Sequence, residues 1–175
     1  MDFMKKFFLA ALSGMLLMTL SLQAGNLKLS SLLGDNMVLQ QNTEARIWGS
    51  ASPRASVTVS ASWLKSSVST RADSEGHWEV MLKTPAATFD PQTLRVTSGG
   101  ETVRASNILI GEVWLCSGQS NMEMTLGGGN GTPIEGSLEE IALSAQYKGV
   151  RHMAVRKSRA TEPQYDAEGE WQVCK

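Results

Sequence analysis

Apolar and polar residues alternate with a period of two along much of the segment 26–106. The stretch "SVTVSAS" (56–62) places valine and alanine between hydroxyl residues, and "HWEVMLK" (77–83) places a tryptophan, a valine and a leucine on one face. This alternation is typical of strands that bury one face. Five further stretches are short and strand-like: "LKLSSLL", "MVLQ", "ARIWGS", "TLRVTSG" and "ETVRAS".

Turn-forming residues separate these strand candidates. They occur at Gly34-Asp35-Asn36, Ser52-Pro53, Asp73 to Gly76, Asp90-Pro91 and Gly99-Gly100, where glycine, proline and short polar side chains favour reversal of the backbone. No helical pattern interrupts the strands, and their spacing is that of small all-β domains. We therefore expect an antiparallel β-sandwich over residues 25–106.

The pattern changes after residue 106. The stretch "NILIGEVWLCSG" (107–118) is nearly continuous in apolar residues, which predicts a strand buried on both faces of a parallel sheet. In "IEGSLEEIALSAQ" (134–146) apolar residues recur at spacings of three and four, which predicts an amphipathic helix. "GVRHMAVRK" (149–157) is a second strand candidate. Strand, helix and strand predict the incomplete start of an α/β domain over residues 107–175.

The first 24 residues have the layout of a secretory signal peptide. Lys5 and Lys6 precede an apolar run over residues 7–20, and small residues surround Ala24. We expect cleavage after Ala24 and export to the periplasm or the extracellular space, with no stable membrane insertion afterwards. An uncleaved membrane anchor is the alternative.

Composition and charge narrow the range of partners. Apolar residues make up 42% of the chain and charged residues 19%, with a formal net charge of -1, as in soluble globular proteins. Because the charges are scattered, we expect no nucleic-acid partner. Export permits a disulfide between Cys116 and Cys174, but a buried free thiol at Cys116 is the simpler expectation. No Cys and His cluster has the spacing of metal ligands, so no metal site is predicted.

Ser120 is the candidate for chemistry. It follows the apolar run, where the carboxyl end of a buried strand would present a side chain to a ligand. Gly118 allows a sharp turn after the strand. The stretch "GQSNM" lacks the second glycine of the G-x-S-x-G nucleophile elbow. Spacing alone therefore leaves both a nucleophile and an ordinary turn serine open.

A family resemblance bears on this choice. The stretch "GEVWLCSGQSNMEM" (111–124) resembles the first conserved block of the sialate O-acetylesterases, a branch of the SGNH hydrolase superfamily. The matching positions are Trp114, Ser117, Gly118, Gln119, Ser120, Asn121, Met122 and Met124. "LGDNMVLQQ", "DSEGHWEV" and "EGEWQV" are also similar to that family, so the resemblance covers most of the residues after the signal peptide.

The resemblance implies a serine esterase that removes O-acetyl groups from sialic acids. Ser120 would be the nucleophile, and its own N–H would be one oxyanion donor. Gly118, Gln119 and Asn121 would form the substrate or oxyanion neighbourhood. A histidine would act as the base, and the reaction would need no cofactor. The partner implied is O-acetylated sialic acid or another acetylated glycan.

The sequence departs from the family in its histidines. His77 and His152 are the two present, and neither stands in the Asp-x-x-His block that supplies the family's base. The chain thus resembles an amino-terminal fragment, and we expect it to be inactive alone. Two alternatives stay open: an esterase for acetylated plant polysaccharide such as acetylxylan, and a non-catalytic sugar-binding β-sandwich with an esterase remnant.

Overall fold

The computed structural model describes residues 26–129 and 134–174. The predicted signal peptide at residues 1–24 lies outside these ranges. Within them, no helix has the length and apolar character needed to cross a membrane. Export and cleavage after Ala24 therefore stay predictions.

Most of the described residues with regular structure are in strands. Two short helices, α1 (Ser120–Glu123) and α2 (Ser137–Leu143), and a 3-10 turn (Ser144–Gln146) lie in the second half of the chain. The strands are β1 (Lys28–Leu29), β2 (Val38–Gln40), β3 (Glu44–Ser50), β4 (Ser56–Ala61), β5 (Val68–Arg71), β6 (His77–Lys83), β7 (Thr88–Ser98), β8 (Glu101–Gly111), β9 (Arg151–Met153) and β10 (Trp171–Val173).

The first eight strands form two sheets that share one apolar core. One sheet has the order β1-β3-β6 and the other the order β2-β8-β7-β4-β5. The strand pairs within residues 25–106 are antiparallel, as predicted, but β2 also runs parallel to the last residues of β8, 109–111, beyond that range. The chain can make this pair because β3 to β7 lie between the two strands in sequence and return the chain to the starting edge.

Alternation along the strands accounts for the core. Val57, Val59, Trp78, Val80 and Leu82 are all buried, as the period of two predicts. Burying a side chain of this size stabilises the fold by about 1.5–3 kcal/mol relative to exposure. The pattern does not predict β5, because its sequence "VSTR" contains a single apolar residue. This strand pairs with β4 at the edge of the sheet.

The prediction of one buried strand over residues 107–118 is wrong. Its first half belongs to β8, where Ile108, Leu109 and Ile110 are buried in the shared core. The strand ends at Gly111, and Trp114 and Leu115 are 82% and 95% exposed. The apolar run is therefore two segments in different surroundings, because the core of the two sheets takes only the residues up to Ile110.

The predicted helix and second strand are present in shorter form as α2 and β9. However, β9 pairs antiparallel with β10 in a separate two-stranded sheet, so the described residues contain no parallel strand-helix-strand unit. The apolar stripe of α2 is uncovered, with Leu138 81% exposed. The division into a β-sandwich (25–106) and the start of an SGNH-like domain (107–175) stays a prediction, and β8 extends across that boundary.

Candidate functional site

Ser120 is the first residue of the short helix α1 and is exposed to solvent. At this position its N–H is not used by the hydrogen bonds of the helix. Its hydroxyl makes no hydrogen bond with any residue in the ranges 26–129 and 134–174. The side chain is therefore accessible, and among the described residues nothing activates it.

The residues around Ser120 shape a tight turn. A Cβ atom at Gly118 would lie 2.8 Å from Cγ of Met122, so glycine lets the backbone pass close to this side chain. Gln119 precedes the helix, and its carbonyl accepts a hydrogen bond of 2.9 Å from the N–H of Met122. Asn121 is exposed beside Ser120. Gly118, Gln119 and Asn121 are thus neighbours of the Ser120 side chain in a solvent-facing turn.

Glu112 fixes the beginning of the motif to the sheet. Its carboxylate accepts hydrogen bonds from the side-chain amides of Gln40 (3.0 Å) and Gln41 (2.6 Å), and Val113 N–H donates to Gln40 Oε1 at 2.9 Å. The two amide donors lower the pKa of Glu112. This carboxylate therefore holds the chain at the point where β8 ends.

A cleft of about 450 Å³ lies beside this attachment point. The side chains of Phe89 and Trp114, which are more than four-fifths exposed, line it together with Glu112 and Arg151. Aromatic side chains with a few polar groups are the usual lining of small-molecule sites. Ser120 does not line the cleft.

A second carboxylate links α1 to a distant segment. Glu123, at the end of α1, forms an ion pair with Nζ of Lys157, which follows β9. The residues 111–124 thus contact the sheet through Glu112 at one end and the segment after β9 through Glu123 at the other. Local pattern offered no signal for either contact, since both partners are remote in sequence.

Neither histidine is placed as the base for Ser120. His77 lies in β6, with Nδ1 3.8 Å from an Asp73 oxygen and its ring stacked on Tyr165. His152 lies in β9 and is exposed. The described contacts join neither ring to Ser120.

The described parts of the chain contain no group of three or more His, Cys, Asp or Glu residues that could hold a metal ion. Cys116 and Cys174 are unpaired. The expectation that the Cys116 thiol is buried is wrong, because Cys116 lies beyond the end of β8 and is exposed. It shares this exposure with Trp114 and Leu115.

Comparison with known proteins identifies relatives. No protein-family model matches the chain. Sialate O-acetylesterases from Pongo abelii and Rattus norvegicus are 34% and 33% identical to it over 146 and 152 residues, which are 77% and 81% of this chain. The crystal structure of a carbohydrate acetylesterase from Xanthomonas citri matches with a TM-score of 0.74 and 32% identity, over 86% of this chain and 32% of that one.

These relatives define a class, the esterases that act on acetylated carbohydrates. Within that class the resemblance read from "GEVWLCSGQSNMEM" is confirmed: the chain is a homologue of the sialate O-acetylesterases across most of its residues. It spans 26% to 27% of the length of the curated relatives that it matches.

Proposed function

We propose that this chain is part of an exported carbohydrate-ester hydrolase that removes O-acetyl groups from sialic acids, with Ser120 as the nucleophile. The observation that carries the proposal is the position of Ser120, accessible at the start of α1 and directly after the turn at Gly118. The homology of the chain to proteins named sialate O-acetylesterase supports O-acetylated sialic acid as the substrate class. We further propose the split into a β-sandwich and an SGNH-like α/β domain.

The reaction follows from the chemistry of a serine nucleophile. The Ser120 hydroxyl loses its proton to a histidine base as its oxygen attacks the acetyl carbonyl carbon, and the ester bond to the sugar oxygen then breaks. The sugar leaves as an alcohol after accepting that proton. Water next attacks the acetyl-enzyme, releases acetate and restores the hydroxyl. The N–H of Ser120 stabilises the oxyanion in both steps, together with donors outside the described residues.

The relatives leave two sugars open as the carrier of the acetyl group. The structural neighbour acts on acetylated carbohydrate without a stated sugar, and the sequence relatives are named for sialate. Deacetylation of acetylated plant polysaccharide breaks the same kind of ester bond. The rates of acetate release from O-acetylated sialic acid and from acetylated xylan by the same protein therefore distinguish the two substrates.

The test uses an extended protein that contains this chain and the additional length found in the curated relatives. Acetate release from O-acetylated sialic acid is measured for the parent, for Ser120→Ala and for Ser158→Ala, an exposed serine after β9 that serves as the matched control. We expect Ser120→Ala to lower turnover by about a thousandfold or more and Ser158→Ala to leave it unchanged. Unchanged turnover in Ser120→Ala would exclude this serine as the nucleophile.

The chain of 175 residues should by itself release no acetate above the uncatalysed rate. The reason is that neither His77 nor His152 contacts Ser120 in the described structure, and a serine without a base is a weak nucleophile. Acetate release by this chain at a rate near that of the extended protein would contradict the proposal. Sugar binding by the extended protein without any hydrolysis would favour the non-catalytic alternative.

A further inference from the structure

Residues 165–171, "YDAEGEW", lie against the sheet β1-β3-β6 although they are more than 80 residues away from it in sequence. We refer to this segment as the strap. The hydroxyl oxygen of Tyr165 is 3.0 Å from the carbonyl oxygens of Gly49 and of Trp78, and its single proton is shared between these two acceptors. Burial raises the pKa of Tyr165, in the direction that favours the protonated donor.

The backbone and the ring of Tyr165 make further contacts with the same sheet. Nε1 of Trp48 donates to the carbonyl oxygen of Tyr165 at 3.3 Å. The imidazole of His77 stacks on the phenol ring with 3.9 Å between centroids and 21° between planes. Tyr165 thus matches two carbonyl acceptors and one flat ring through its side chain, and one indole donor through its backbone carbonyl, on neighbouring strands β3 and β6.

Asp166 binds the chain just after β1. Its Oδ1 accepts a hydrogen bond of 2.7 Å from Ser30 Oγ, and its carboxylate also accepts the N–H of Ser31, at 3.0 and 3.1 Å, and the Ser31 hydroxyl at 3.2 Å. Partial burial acts to raise the pKa of Asp166, but the hydrogen bonds from Ser30 and Ser31 together hold it below the usual value. Hydrogen bonds to a charged acceptor are among the stronger ones in proteins.

Trp171 completes the attachment at the other end of the strap. Its Nε1 donates to the carbonyl oxygen of Leu32 at 3.0 Å, and its ring packs against the apolar core. Trp171 is also the first residue of β10, which pairs with β9. The strap therefore ties the β9-β10 sheet to the chain around β1.

Contacts continue from the strap toward Ser120. The N–H of Arg156 donates to the carbonyl of Glu168 at 2.8 Å, and the two side chains form an ion pair at 2.7 Å. The next residue, Lys157, contacts Glu123 at the end of α1. The strap thus holds the segment that in turn contacts the helix carrying Ser120.

We propose that the sheet surface formed by Ser30, Ser31, Gly49, His77 and Trp78 is a docking surface for the Ser120-bearing part of the protein, and that the strap is the segment that occupies it. The surface presents two carbonyl acceptors beside hydroxyl and amide donors. It accepts a phenol followed directly by a carboxylate, which is the order of Tyr165 and Asp166. This inference depends on the contacts alone and is independent of the esterase proposal.

The test is hydrogen–deuterium exchange of the whole 175-residue chain, followed at the amides of β9 and β10. Asp166→Ala removes the hydrogen bonds to Ser30 and Ser31. Glu162→Ala is the matched control, since it removes a nearby exposed carboxylate whose side chain makes no hydrogen bond or ion pair with the described residues. We expect Asp166→Ala to speed exchange in Arg151–Met153 and Trp171–Val173 about three- to tenfold, with β3 and β6 unchanged.

A double variant separates docking from a general loss of stability. Ser31→Ala alone removes the hydroxyl hydrogen bond to Asp166 and should also speed exchange in β9 and β10, and it should add little in the Asp166→Ala background because that bond is already lost. Equal exchange in Asp166→Ala and Glu162→Ala would overturn the proposal. Additive effects of Ser31→Ala and Asp166→Ala would also overturn it, as would complete exchange of β9 and β10 in the parent chain at the earliest time.

Discussion

Gly49 is the position where a single methyl group should do most damage to the fold. This residue lies in β3 between Leu29 of β1 and Trp78 of β6. A Cβ atom there would lie 2.0 Å from the carbonyl oxygen of Lys28 and 2.9 Å from Cζ2 of Trp78. Both distances are too short for real contacts, and one partner is backbone. Gly49→Ala must therefore displace β1.

The size of the effect follows from what β1 contributes. Moving this strand disrupts its two-residue ladder with β3 and loosens Leu27, which is only 6% exposed. Overpacking a core costs about 1–3 kcal/mol, and a large apolar side chain loses up to about 1.5–3 kcal/mol on exposure. We expect Gly49→Ala to lower the free energy of unfolding by about 2–4 kcal/mol.

Urea denaturation followed by tryptophan fluorescence measures this loss. With a slope of about 2 kcal/mol/M, the midpoint should fall by about 1–2 M. Gly34→Ala is the control, because no atom lies within 4 Å of its Cβ position and alanine there should stabilise by about 0.4–1 kcal/mol. A Gly49→Ala midpoint within about 0.2 M of the parent would refute the reasoning.

Two further substitutions test polar contacts beside the two ends of β6. Asp73 accepts a hydrogen bond of 2.8 Å from the N–H of His77, and this bond is the largest of several effects that together lower the pKa of Asp73. Ionised Asp73 therefore stabilises the fold above its unfolded pKa, and this stabilisation is lost as the pH falls through the folded pKa. Asp73→Asn should flatten the acid side of a profile of stability against pH. An unchanged acid side would contradict this. The hydroxyl of buried Thr84 donates a hydrogen bond to the carbonyl of Gln40 and accepts one from the N–H of Thr43. Thr84→Val should therefore lower the free energy of unfolding by about 1–3 kcal/mol, measured by thermal or urea unfolding. A loss below about 0.5 kcal/mol would show that these bonds contribute little.

The strands were predictable where one face is buried. Val57 and Val59 in β4, and Trp78 and Leu82 in β6, alternate with exposed or half-buried neighbours, so a period of two is visible in the sequence. In the run 107–118 the same reasoning failed. Apolar composition does not reveal that Ile110 meets the core while Trp114 lies in solvent, because burial depends on which strands lie opposite.

The candidate site was predictable only in part. Ser120 and Gly118 are adjacent in a recognisable motif, and the homology to sialate O-acetylesterases is consistent with that motif. The contacts of Glu112 and Glu123 were not predictable. Gln40 and Lys157 are far from them in sequence, and a charged residue in a polar stretch is normally solvated.

By itself, the sequence determined the positions of most strands of the two sheets, the apolar side of strands such as β4 and β6, the turns between them and the serine motif, since each depends on residues within a few positions of one another. Only the tertiary structure decided that β2 runs parallel to β8, that β9 pairs with β10, and that the strap lies on the sheet beside β1. Each of these features joins groups that are remote in sequence, as Ser30 and Asp166 are at 136 positions apart, and a local pattern carries no information about which remote groups meet.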